Sequence, residues 1–111
     1  MHNLTNSKAS LDVLKERARQ IHQEQYSTAH DDKYKGNELV RAGAGYANHV
    51  IARAWTYDES DPIRYQEEEA PDFWPWCDDS WKPTSPRQDL VKAAALLIAE
   101  IERIDRDSES N

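Results

Sequence analysis

The sequence predicts an all-α domain of three main helices, at about 10–25, 37–55 and 86–106, with a long acidic, tryptophan-rich connection between the second and third. Three observations predict it. Apolar residues recur at spacings of three and four in three separate windows. Each window opens on a residue suited to start a helix. Between the second and third windows, Pro62, Pro71, Pro75 and Pro83 forbid any long helix.

The first window carries Leu11, Leu14, Ala18 and Ile21 as one stripe, with Glu16, Arg17, Arg19 and Gln20 off it. Ser10 is the expected N-cap, and Asp12 in the first turn complements the helix dipole. The stretch from Tyr26 to Gly36 is a polar connection. Asn37 is the expected cap of the second helix, whose stripe is Leu39, Ala42, Tyr46, Val50 and Ala54. Gly43 and Gly45 lie inside that helix, where each glycine costs about 1 kcal/mol relative to alanine. The close approach of another helix or of a ligand would offset that cost. The third helix has the clearest start, with Ser85 as N-cap, Pro86 at the first helical position and Gln88 where a capping box needs it. Its wide stripe is Leu90, Ala94, Leu97, Ile98, Ile101 and Ile104, and Arg103 and Arg106 favour the dipole in its last turn. Residues 1–9 and 107–111 read as flexible flanks of a single domain spanning 10–106.

The chain of 111 residues has a net charge of −7. Nine acids between Trp55 and Thr84 face only Arg64 and Lys82, so that segment alone accounts for the whole excess. A strongly acidic loop excludes non-specific binding to a nucleic-acid backbone, which needs a basic face. It suits a basic protein partner or a metal ion. Cys77 stands alone, so no intrachain disulfide forms. The first ten residues lack the apolar core of a signal peptide, and no apolar run is long enough to span a membrane. These features together lead to the expectation of a cytoplasmic protein. A chain this small has a modest core, and homo-oligomerisation is expected because it adds buried area.

Seven of the ten aromatics fall between Trp55 and Trp81. Disordered segments are depleted in aromatics, so Phe73–Pro83 is expected to be ordered and packed on the helices. Within it lies the strongest candidate site. Trp74, Trp76 and Trp81 offer flat faces suited to stack on a base. Lys82, Arg87 and Lys92 cluster around the start of the third helix, where free backbone N–H groups attract phosphate. The alternative is that the tryptophans only cap the core. Metal candidates are weaker: Glu38 on the second helix, Asp89 on the third, and the turn His30-Asp31-Asp32, where an Asx-turn role competes. Cys77 has acidic neighbours that work against a thiolate nucleophile, and no phosphate-binding glycine loop is present.

Several short runs carry a resemblance. They are Glu16-Arg17-Ala18-Arg19-Gln20, His30-Asp31-Asp32, Asn37-Glu38-Leu39, Trp74-Pro75-Trp76, Trp81-Lys82-Pro83, and Arg87 through Arg106. In these runs the chain resembles a group of small phage and prophage proteins to which no function is attached. More remotely, the order of parts is similar to that of MazG-like nucleoside triphosphate pyrophosphohydrolases. That similarity implies an all-α, usually oligomeric bundle and Mg²⁺-dependent cleavage between the α and β phosphates. Those enzymes hold the metal with an EExxE cluster on one helix and an ExxD pair on the next. Here Glu38 stands alone on the second helix, and Asp89 is followed three residues on by Lys92. Glu102 and Asp105 do read ExxD, but at the far end of the third helix. The resemblance therefore leads to the expectation of a phage accessory protein that binds a nucleotide-type small molecule without turning it over, for instance by sequestering a host defence signal. One alternative is an acidic inhibitor that docks the 58–79 loop on a basic host protein. Another is an active Mg²⁺-dependent pyrophosphohydrolase.

Overall fold

A computed structural model describes residues 6–22, 37–52 and 61–109. Within them the chain is all-α. Helix α1 spans Lys8–His22, α2 spans Glu38–Ile51, α3 spans Pro62–Glu67 and α4 spans Pro86–Glu109, with a short 3₁₀ turn at Asp78–Ser80. The parts of the first two predicted helices beyond His22 and Ala52 lie outside the described residues, as does the His30-Asp31-Asp32 turn.

The helix starts correct the sequence reading in two places and confirm it in one. The hydroxyl of Ser7, not Ser10, receives a first-turn N–H of α1, that of Ser10 itself, at 3.1 Å. Helix therefore begins inside the flank expected to be flexible. Asn37 precedes α2 in the left-handed conformation (φ 69°) with no side-chain cap bond, and it contributes only its carbonyl, which accepts from Arg41 N at 2.9 Å. At α4 the expected cap is present, with Gln88 N donating to Ser85 Oγ at 3.2 Å. That helix runs on through Glu109, into the other expected flank.

The proline-rich connection, barred to any long helix, also holds a short one at Pro62–Glu67. Asp61 Oδ1 accepts from Arg64 N at 3.1 Å, with Pro62 in the first turn. This is the same grammar as Ser85-Pro86: a cap residue, then a proline where no N–H is needed.

Helices α2 and α4 form the central pair. The stripe of α2 is buried as expected, with Leu39 and Ala42 fully buried and Tyr46 and Val50 nearly so. The glycines explain how the neighbours come so close. A Cβ on Gly43 would lie 3.2 Å from the carbonyl oxygen of Ala93 on α4, and one on Gly45 would lie 3.2 Å from the Trp74 ring. One glycine thus admits a helix and the next admits the tryptophan loop.

An apolar stripe is ordinarily the buried face of a helix. On α1 and α4 it is not. Leu11, Leu14, Leu90, Leu97, Ile101 and Ile104 are all exposed. Helix α4 instead turns Val91, Ala93, Ala95, Leu96 and Ala99 inward, and α1 buries Glu16, Arg17 and Gln20. Small residues on α4 allow the close packing on Gly43. The polar residues of α1 are satisfied largely by ion pairs: Arg19 Nε meets Glu16 Oε1 at 2.7 Å, and Arg17 Nε meets Glu102 Oε1 on α4 at 3.0 Å.

Because a Cβ at Gly43 would meet the Ala93 carbonyl oxygen at 3.2 Å and the Leu97 side chain at 3.3 Å, a branched residue there must force the helices apart. Gly43→Val is expected to lower stability by about 1–3 kcal/mol, a loss of several degrees in thermal unfolding followed by circular dichroism. An unchanged midpoint would contradict the close α2–α4 approach.

A tryptophan-walled cavity at the start of the last helix

The segment between α3 and α4 is folded back over α2 and fastened by its own indoles. Trp74 Nε1 donates to Cys77 O at 3.2 Å and to Ser80 Oγ at 3.1 Å, and Trp81 Nε1 donates to Glu68 O at 3.0 Å. Arg41 Nε on α2 donates to Phe73 O at 3.1 Å. Tyr46 organises the rings: Trp81 stacks on it at 4.8 Å between centroids, and Trp74 meets it edge-on at 5.4 Å. Trp74 also meets Trp76 edge-on at 5.6 Å. The expected order of this stretch is present, with Trp74, Trp81 and Pro83 buried and Phe73 turned outward.

Next to this cluster α1 and α4 leave a cavity of ≈190 Å³. Trp74 and Trp76 line one side, Glu16, Arg19 and Gln20 another, and Lys82, Thr84 and Lys92 are also at its edge. Four of the six residues singled out in the sequence (Trp74, Trp76, Lys82 and Lys92) thus line one space. The other two do not. Trp81 is held against Tyr46 and belongs to the core. Arg87 turns away to pair with Asp12 at 2.9 Å. Hydrogen bonds from Lys8 and then Arg87 hold the Asp12 carboxyl below its ordinary range.

Sequence reasoning missed the α1 contribution altogether. Glu16 and Gln20 read as the solvent face of an amphipathic helix, yet both are buried. Gln20 Nε2 donates to Glu16 Oε2 at 3.2 Å, which fixes the orientation of its amide, while Gln20 Oε1 is buried with no hydrogen-bond partner. A buried acceptor left without a donor costs about 1–3 kcal/mol.

Lys92 is not a free phosphate ligand. Its ammonium donates to Lys82 O at 2.6 Å and to Thr84 Oγ1 and Asp89 Oδ1, both at 3.3 Å. Asp89 is fully buried. It accepts from Tyr65 Oη at 2.6 Å, from Thr84 N at 3.1 Å and from Thr84 Oγ1 at 3.3 Å. His49, also missed from sequence, lies buried beneath α3 with Nε2 2.8 Å from the carbonyl oxygen of Tyr65. A carbonyl only accepts, so Nε2 carries the proton.

These contacts decide how well the chain suits a magnesium ion. Both oxygens of Asp89 are already engaged, and a lysine ammonium stands where a dication would have to approach. Glu102 pairs with Arg17. Glu38 is half-buried on α2, and among the described residues no three His, Cys, Asp or Glu side chains form a metal-binding group. The residues of a MazG-type site do not fit the metal here.

The Tyr65–Asp89 bond gives a direct test of the network. Tyr65→Phe removes one charge-assisted hydrogen bond and leaves Asp89 Oδ2 unpaired in the interior. It is expected to cost about 1.5–3 kcal/mol, read as a lower midpoint in urea unfolding; a midpoint like that of the native chain would mean that α3 is not tied to α4 through this carboxylate. No known protein family, characterised protein or solved structure matches the chain.

Proposed function

We propose that the protein is a binding protein, not an enzyme, and that it holds a nucleotide-type small molecule with its ring in the Trp74–Trp76 cavity. The observation that carries this reading is the convergence of Trp74, Trp76, Lys82 and Arg19 on one cavity between α1 and α4. An aromatic heterocycle answers that arrangement. Its face meets the indoles. At ≈190 Å³ the cavity is smaller than the roughly 300–1,000 Å³ usual for drug-sized ligands. It suits one ring system, with any phosphates outside near Lys82 and Arg19. The resemblance to phage proteins supports an accessory role, such as sequestering a host signal, and the poor fit to magnesium argues against turnover.

The test is a thermal-shift and tryptophan-fluorescence titration with nucleosides, nucleotides and cyclic dinucleotides, with and without Mg²⁺. A ligand is expected to stabilise the chain without magnesium. Trp76→Ala is expected to weaken it about 5- to 150-fold, the equivalent of 1–3 kcal/mol for one stacked base. A shift that requires magnesium would revive the pyrophosphohydrolase reading. No shift with any member would overturn the proposal.

A second reading rests on a different surface. Glu68, Glu69, Asp72 and Asp78 rim an open groove of ≈560 Å³ on the side of the indole cluster where Trp81 lies. This supports the inhibitor alternative, in which a basic host protein docks on the loop. Under that reading, replacing Glu67, Glu68 and Glu69 with glutamine abolishes capture of the basic partner in a pull-down, whereas undiminished capture counts against it.

A further inference from the structure

Arg19, Lys82 and Lys92 are the cations that line the cavity, and two of them are committed to buried carboxylates. Arg19 meets Glu16 at two points, Nε to Oε1 and Nη2 to Oε2, both at 2.7 Å. Lys92 meets Asp89 at 3.3 Å. Glu16 is 5% exposed and Asp89 0%. Removing the cation from a buried carboxylate is strongly destabilising. Neither Arg19 nor Lys92 can therefore swing to a ligand's phosphate without stranding an acid in the interior. The hydroxyls at the edge are engaged as well: Ser80 Oγ donates to Cys77 O at 2.7 Å, and Thr84 Oγ1 donates to Asp89 Oδ1 at 3.3 Å. Lys82 differs. Its backbone is pinned on both sides of Cα, with N donating to Tyr46 Oη at 3.3 Å and O accepting from Lys92 Nζ at 2.6 Å. Its side chain is exposed, and its ammonium meets no acid among the described residues. With Arg19 set against Glu16 and Lys92 against Asp89, one positive charge is left at the cavity, that of Lys82.

We propose that the site takes a nucleoside monophosphate, with one base against the indoles and one phosphate on Lys82. The assignment rests on the reading of the cavity as a nucleotide site and narrows its ligand class. Lysine suits the task, because it meets phosphate as a point charge on a flexible stem and needs no fixed fork geometry. A second or third phosphate finds no further uncommitted cation at the edge, and it adds negative charge beside a chain that already carries −7. Polyphosphates are commonly held with Mg²⁺ through one or two protein carboxylates. Of the two carboxylates nearest the cavity, Glu16 is closed by Arg19 and Asp89 by Lys92. A cyclic dinucleotide brings a second base, for which ≈190 Å³ leaves no room.

The experiment is calorimetric titration of the full chain, without Mg²⁺, with adenosine, guanosine, cytidine and uridine, their 5′-mono-, di- and triphosphates, and cyclic diadenylate and diguanylate. For a base that binds, the monophosphate is expected to bind about tenfold tighter than its nucleoside, the increment of one charge-assisted hydrogen bond. The di- and triphosphates are expected within about threefold of the monophosphate, since extra exposed charges add little. The cyclic dinucleotides are expected to bind at least about tenfold more weakly. Lys82→Gln is expected to remove the monophosphate's increment and Lys82→Arg to keep it, with circular dichroism showing the helices intact in both. Arg87→Gln, at a cation that turns away to Asp12, is expected to keep it too. Nucleoside and monophosphate binding alike, a further tenfold for each added phosphate, or an increment that survives Lys82→Gln overturns the monophosphate assignment and leaves the nucleotide cavity standing. Binding by none of these compounds overturns the nucleotide reading itself, and the assignment with it.

Discussion

The interior carboxylate of Asp89 is the constraint on which the upper part of the fold depends. A buried carboxylate is tolerated only where hydrogen bonds or an opposite charge replace the water it has lost. Asp89 obtains them from three places in the chain: the Tyr65 hydroxyl on α3, the backbone and side chain of Thr84 just before α4, and Lys92 one turn further along α4. Each of those donors is thereby fixed. Tyr65 brings α3 down onto His49 of α2, with ring centroids 4.1 Å apart. Thr84 sets the direction in which the chain enters α4. Lys92, drawn to Asp89, lies over the Tyr46 ring at 5.1 Å, and Tyr46 is the ring on which Trp81 stacks. The tryptophan loop is thus positioned at one remove by a single acid.

That arrangement accounts for the shape of the candidate site. Trp74 and Trp81 are held on both sides of Tyr46 and through their own N–H groups, so their rings cannot close the gap to α1. Helix α1 turns a polar face toward the same gap. Glu16, Arg19 and Gln20 cannot pack against indoles as leucines would, and their mutual bonds keep them at the edge of a space. The cavity exists because an apolar wall and a polar wall meet across it without complementary partners. A core built only for stability would have filled it, since lost contacts around a void are costly.

What was legible in the sequence divides along physical lines. Signals that act over four residues were readable. Ser85-Pro86 announced α4; Asp61-Pro62 has the same pattern at α3 but was read only as one of the breaks in the connection. The glycines of α2 announced a close approach, though not that one would face a helix and the other an indole. The stripes announced helices but not which face would be buried, because periodicity records where apolar residues lie and not what covers them. On α2 the stripe meets α4. On α1 and α4 the stripe is the outer surface, and the buried face is alanine-rich in one and charged in the other. Little that is local marks Asp89 or His49 as interior, since Tyr65, which meets both, lies 24 residues from one and 16 from the other. The same limit explains why Arg87 and Trp81 looked like ligand residues. Each has the right chemistry at the right place in the chain, and each is already committed, one to Asp12 and the other to Tyr46.

The outward stripes and the polar cavity are two sides of one choice. A small chain has few apolar residues to spend on its interior, and a 111-residue domain buries only about two-thirds of its unfolded surface. Had α1 turned Leu11 and Leu14 inward, Glu16 and Gln20 would face solvent, and the gap beside Trp74 and Trp76 would be filled with hydrocarbon. Turning the helix over sacrifices that burial within one chain and puts carboxylate, guanidinium and amide groups against the indoles instead. In that sense the outer row of α4 and the unfilled space beside Gln20 have one cause: the polar faces of the helices have been kept for the interior.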